Sequence, residues 1–136
     1  MTDPCLFCRI AAGEVPVSTV AASPEALAFL DLHPHAPGHT IVIPRTHAAT
    51  LAECPQEAVG PLFELAQEAA RKLESALGCP GMTIGINQGT VAGQGVMHLH
   101  VHLMPRFAGD GGSSIHGVVD HPATPSQKEA LATLTT

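Results

Sequence analysis

Apolar positions along this chain follow two different periods, and the change from one to the other outlines the fold. Residues 18–22 and 26–32 are short, mostly apolar runs on either side of Ser23-Pro24-Glu25, a turn composition, and they predict two strands. Residues 33–38 (HPHAPG) carry two Pro and a Gly and predict a loop. Residues 39–43 (HTIVI) are β-branched and mostly apolar, a buried strand ended by Pro44. From Gln56 to Leu77 the spacing becomes helical. Val59, Leu62, Phe63, Leu65, Ala66, Ala69, Ala70, Leu73 and Leu77 follow helical spacing, and Glu64, Glu68, Arg71, Lys72 and Glu74 lie largely on the other face. Gly60-Pro61 sets the start of its regular part near Pro61, and Gly78 with Pro80 ends it. Residues 82–86 return to a strand, 87–95 (NQGTVAGQG) form a polar, Gly-rich loop, and 97–104 form another strand closed by Pro105.

The ends are less regular. Residues 5–13 (CLFCRIAAG) have room for one or two helical turns. Beyond Ala108 the chain turns Gly-, Ser- and Pro-rich, with residues 125–134 either a short helix or a frayed tail. No repeat and no linker divides the 136 residues, so residues 1–136 read as a single domain. The element order places it in the α+β class with an antiparallel sheet. The last two strands are joined by a nine-residue loop, whereas a parallel crossover normally needs a helix.

Composition narrows the function classes. The chain is 45% apolar and 13% charged, which excludes a charge-rich disordered segment. Six Lys and Arg face twelve Asp and Glu, for a net charge of −6, and the cations are scattered. No basic stripe is available for duplex nucleic acid or an anionic membrane. With Phe as the only aromatic, four in number, a stacking platform for single strands is also unexpected. No run approaches the ~18 apolar residues of a membrane span, and the first residues lack a signal-peptide pattern, so a cytoplasmic protein is expected. Its four Cys are then expected as thiols or metal ligands.

Nine His is a high count, and three of them stand in His98-Leu99-His100-Val101-His102. On a strand these three share one face, with Leu99, Val101 and Leu103 on the other. Three alternating His have no packing reason to be there, since Val, Ile or Thr suit a half-buried sheet better. Two chemical readings follow: three ligands to one zinc ion, or a row containing a nucleophile. The preceding loop, with Gly89, Gly93 and Gly95, lets backbone N–H groups approach an anion closely and favours attack on phosphorus. Separately, Cys5 and Cys8 have the C-x2-C spacing of half a zinc site.

The row His98-Leu99-His100-Val101-His102-Leu103-Met104 resembles the signature of the histidine-triad (HIT) superfamily. The surroundings look like its Hint-type branch: Cys5-Leu6-Phe7-Cys8-Arg9-Ile10, Ala28-Phe29-Leu30-Asp31-Leu32, Ala36-Pro37-Gly38-His39-Thr40-Ile41-Val42-Ile43-Pro44 and Gly85-Ile86-Asn87. The matched core runs from about residue 5 to 106, and 107–136 form an unmatched C-terminal tail. The resemblance implies a five-stranded antiparallel sheet with one long helix, dimerising into a continuous sheet. It implies a hydrolase or nucleotidyl transferase acting at the α-phosphate of purine nucleoside 5′-phosphoramidates or related conjugates, through a nucleotidyl-histidine intermediate. The alternatives are a dinucleoside polyphosphate hydrolase and a nucleotide-binding regulatory module with little turnover.

By the same resemblance His100 is the nucleophile and His102 contacts the phosphate or the bridging atom. Asp31 and Leu32 bind the ribose, Asn87, Gly93, Gln94 and Gly95 lie on the phosphate side, and His39 supports the site. Arg45 and Arg106 are the arginines nearest these motifs. The expected cofactor is structural Zn2+ held by Cys5, Cys8, His47 and His98, and the expected partners are a purine nucleotide and a second copy of the chain. One position departs from the pattern: Gly95 stands where many Hint-type members carry Ser or Thr.

Overall fold

The computed structural model describes residues 3–121 and 126–135. A six-residue helix, α1 (Leu6–Ala11), precedes three strands, β1 (Thr19–Ala22), β2 (Ala26–Leu30) and β3 (Thr40–Pro44). The long helix α2 (Gln56–Leu77) follows, then β4 (Gly81–Gly85), β5 (Val101–Arg106) and a terminal helix α3 (Gln127–Leu134). The strands form one sheet in the order β1-β2-β3-β5-β4, and every pair is antiparallel.

Both faces of the sheet are covered, which explains why β2 and β3 read as continuous apolar runs. On one face Leu62, Leu65, Ala66, Ala69 and Leu73 of α2 pack on Ala26, Ala28, Val42, Leu99, Val101 and Leu103. On the other, Phe7 and Ile10 of α1 pack on Leu27, Phe29, Ile41 and Ile43. The period-2 alternation thus sends each central strand to two cores. The register Ile41↔His102 puts His102 on the α1 face.

Several boundaries differ from the sequence expectation; β2 ends at Leu30 and not at residue 32, and β4 spans 81–85 and not 82–86. The helix α2 begins at Gln56 and runs through Pro61. Leu62 and Leu65, 0% and 2% exposed, hold that segment against the sheet and outweigh the one hydrogen bond that Pro61 forfeits. The last strand is paired over Val101–Arg106, not 97–104. Residues 98 and 99 make other bonds instead: His98 Nε2–H donates to the Pro44 carbonyl at 2.8 Å, and the Leu99 N–H to that of Ala48 at 2.7 Å. Pro105 lies inside β5, beyond its last pairing with β3 at Leu103, where the strand has a partner on one side only. Residues 127–134 are helical, while Pro125 lies outside the described residues. No helix among the described residues is long and apolar enough to cross a membrane.

Candidate functional site

The α1 face of the sheet opens into a cleft of about 400 Å³. Its floor is β2, β3 and β5, and Leu6, Phe7 and Phe29 form an apolar wall. Asp31, Leu32 and His35 come from the loop after β2, Asn87, Gly93 and Gly95 from the loop after β4, and His100 and His102 from the His row. Residues far apart in the sequence converge here because β3 and β5 are neighbours in the sheet.

Hydrogen-bond partners assign a tautomer to each ring. His100 is 7% exposed, and its Nδ1–H donates to the carbonyl of His98 at 2.7 Å. Its Nε2 therefore carries a lone pair. The main-chain N–H of His35 donates to His39 Nδ1 at 3.1 Å, so the proton of His39 sits on Nε2. That Nε2–H faces His102 Nδ1 at 3.0 Å and Asp31 Oδ2 at 3.4 Å. His102 then holds its own proton on Nε2. The chain of contacts leaves one bare nitrogen, on His100, and one N–H, on His102, with ring centroids 5.0 Å apart.

Burial favours the neutral form of His39 and His102. It pushes His102 down to about 4, helped by His100 and His39 beside it and opposed by Asp31. It also lowers His39, where the Asp31 carboxylate again opposes. Asp31, His39 and His102 could be grouped as metal ligands by distance alone. The tautomer of His39 argues against that, because the nitrogen facing the group carries the proton.

The third ring of the row belongs elsewhere. His98 is fully buried, and with its Nε2–H on the Pro44 carbonyl its Nδ1 lone pair points at Cys5, Cys8 and His47. Nδ1 lies 3.4 Å from Cys5 Sγ, 3.5 Å from Cys8 Sγ and 3.2 Å from His47 Nδ1, and Cys8 Sγ lies 3.2 Å from His47 Nδ1. A tetrahedral ion with ordinary Zn–N and Zn–S bonds sets neighbouring donors roughly 3.3–3.8 Å apart. The donor set and spacing therefore fit such an ion. Burial and the neighbouring Cys5 push the Cys8 thiol up to about 12. The three rings of the row do not converge on one metal.

The cleft gathers His39, Asp31, Leu32, Asn87, Gly93, Gly95, His100 and His102. Gln94 is adjacent, but its side chain is turned into the loop. Its Oε1 accepts from the Gly89 N–H at 2.8 Å and its Nε2 donates to the Ala49 and Val96 carbonyls. It shapes the loop that Gly93, at φ 105°, turns sharply. Arg45 and Arg106 face away: Arg45 binds the Ser23 and Ala11 carbonyls, and Arg106 binds Asp110, Thr83 and the Ser113 carbonyl. Sequence reasoning missed His35, which acts through its main-chain N–H and leaves no side-chain signal. It also missed Phe7 as a cleft wall, although its place between Cys5 and Cys8 ties it to the His row.

A profile of the HIT domain matches residues 12–109. A HIT-like protein of Methanocaldococcus jannaschii is 39% identical over 107 residues, 79% of this chain and 82% of that protein. An adenosine 5′-monophosphoramidase of Schizosaccharomyces pombe is 33% identical over 127 residues, 93% of this chain and 92% of that one. Among solved structures, a HIT family protein of Bacillus anthracis superposes with TM-score 0.84 at 29% identity, covering 99% of this chain and 94% of its own. A Zn-bound histidine triad family protein of Mycobacterium smegmatis gives 0.75 at 38% identity, covering 81% and 80%.

Proposed function

The chain belongs to the HIT domain family, and on that premise we propose that it is a nucleotide hydrolase acting at the α-phosphate of purine nucleoside 5′-phosphoramidates or related conjugates. The observation that carries this reading is the pair of tautomers in the cleft: a bare Nε2 on His100 beside an N–H on His102. In this reading His100 Nε2 attacks the α-phosphorus, the P–N bond to the leaving amine breaks, and a nucleotidyl-histidine forms. Water then attacks the same phosphorus and frees His100 with the nucleoside monophosphate. Splitting one displacement into two lowers each barrier. The His102 Nε2–H donates to a phosphate oxygen or to the bridging atom, and the loop at Asn87, Gly93 and Gly95 offers further donors. Asp31 accepts from the ribose hydroxyls, and the base lies against Leu6, Phe7 and Phe29. Gln94 contributes to the phosphate side by holding the loop.

We infer further that Cys5, Cys8, His47 and His98 hold a structural zinc ion, which ties the N-terminus to the His row. The Zn-bound relative from Mycobacterium smegmatis supports this choice of metal. A homodimer through α2 and the edge strand β4, and a cytoplasmic location, complete the reading.

Rapid-quench kinetics on an adenosine 5′-phosphoramidate test it. Amine is expected to appear in a burst ahead of AMP, with an acid-labile adenylyl group on the protein. A panel with guanosine phosphoramidate and diadenosine polyphosphates ranks base and leaving group. Tight AMP binding without release of any leaving group would move the protein to the regulatory alternative and overturn the hydrolase reading.

A further inference from the structure

The helix α1 and its N-cap Cys5 serve two sites at once. Cys5 and Cys8 belong to the four-residue Cys/His cluster. Leu6 and Phe7, between them in sequence, line the cleft. The ring of Phe7 meets His100 edge-on with centroids 5.0 Å apart, and meets Phe29 at 5.7 Å and His98 at 5.9 Å. One side chain thus touches a ring of the cluster, the ring assigned as nucleophile and the apolar wall of the cleft.

A helix of six residues does not hold its shape unaided, because isolated helices shorter than ~12 residues are marginal in water. What fixes α1 is visible. Phe7 and Ile10 are buried in the second core, Arg45 donates to the Ala11 carbonyl at 3.0 Å, and Cys5 Sγ accepts from the Cys8 N–H at 3.4 Å as the helix cap. A further tie runs from the Cys5 and Cys8 sulfurs to His98 and His47. His98 is the residue whose carbonyl sets the tautomer of His100.

We propose that α1 is a metal-anchored wall of the cleft, so that nucleotide affinity and metal affinity are coupled through Phe7. This rests on the reading above, in which the cleft takes a nucleotide and the cluster takes zinc. Coupling between two sites is reciprocal: the factor by which the metal tightens nucleotide binding equals the factor by which the nucleotide tightens metal binding.

Two equilibrium measurements on the full chain decide it, neither of which reads turnover. AMP binding is measured by calorimetry on zinc-loaded and chelator-stripped protein, with circular dichroism recording the fold. Zinc binding is measured by competition with a chromophoric chelator, with and without AMP. The loaded chain is expected to bind AMP at least about fivefold more tightly, the low end of common allosteric factors. AMP should shift the chelator competition by the same factor. Phe7→Leu keeps both cysteines and the apolar volume, and in it both factors should fall below twofold. Equal AMP affinity in loaded and stripped protein of unchanged fold overturns the coupling and leaves the nucleotide reading standing. Where stripping unfolds the chain, an undiminished factor in Phe7→Leu overturns it, because the coupling then runs through folding as a whole. Absence of AMP binding to the loaded chain overturns the nucleotide reading itself.

Discussion

His100 donates its Nδ1–H to the main-chain carbonyl of His98 across 2.7 Å. One residue thus serves two neighbours in different ways: its ring faces Cys5, Cys8 and His47, and its carbonyl holds His100 with Nε2 bare. Neither relationship depends on a paired strand, since β5 begins at Val101.

The first prediction concerns that bare nitrogen. His100→Ala should lower turnover at least about 10³-fold, some 4 kcal/mol of transition-state stabilisation, while the fold stays intact. Free imidazole should restore part of the rate in His100→Gly. Activity within about tenfold of the parent chain, a change of only ~1.4 kcal/mol, would remove His100 from the nucleophile's role.

The metal cluster makes a compositional prediction. Purified protein should carry about one zinc per chain by atomic emission. Cys5→Ala and Cys8→Ala should lower zinc content and Tm together, the latter by about 3 °C for each kcal/mol lost in a chain of this size. Unchanged zinc and Tm would mean that the two thiols only fill space beside Phe7.

The pH dependence follows from the His39–His102 pair. Burial lowers both rings, His102 to about 4. A free histidine takes up a proton near pH 6.5. As pH falls below about 6.5 the unfolded chain therefore binds protons that the folded rings refuse, and stability declines until His102 titrates near 4. Above about 6.5 both states are neutral and the pair contributes no slope. The maximal linkage is ~1.4 kcal/mol per pH unit for each ring. Following the His102 Cε1–H resonance by NMR should give a midpoint well below 6. A midpoint near 6.5 would show that the His102 ring is solvated and not buried in the cleft beside His100 and His39.

Gly95 offers a gain of function. A Cβ built there meets nothing within 4 Å, its φ lies outside the left-handed region, and the residue lines the cleft. Gly95→Ser should therefore fold without strain and place a hydroxyl where the phosphate or the leaving group is expected. One added donor to a charged oxygen is worth ~1.5 kcal/mol, so kcat/KM should rise about tenfold. A rate equal to the parent's, with an unchanged Tm, would show that this side of the loop does not face the reacting phosphate.

How much of this was legible in the sequence depended on whether a residue acts through its side chain. The alternation of Leu99, Val101 and Leu103 with the His row was readable, because it reflects which side each residue faces and survives the late start of β5. The pairing of Cys5 and Cys8 with His47 and His98 came only from family resemblance, since no spacing rule links positions 8 and 98. The tautomer of His39 could not be read at all. It is set by the main-chain N–H of His35, which every non-proline residue possesses. Local propensity at Gly60-Pro61 puts the helix start too late, whereas burial of Leu62 and Leu65 decides it.

The last prediction concerns assembly. Strand β4 lies at the edge of the sheet, next to β5 alone, and Ile84 on it is 49% exposed. On α2, Phe63 and Leu77 are 40% and 39% exposed although that helix already buries its other apolar face. An unpaired edge with exposed apolar side chains invites pairing with another chain. About a twofold axis, edge strand and helix can each meet their own copy. Light scattering at micromolar concentration should therefore give about 28 kDa, twice the 14.0 kDa chain mass. Ile84→Lys places a charge on that edge and should shift the mass toward 14.0 kDa with the fold retained. A parent chain that stays monomeric across that range would mean that β4 is a solvated edge, and a dimer that survives Ile84→Lys would move the interface away from it.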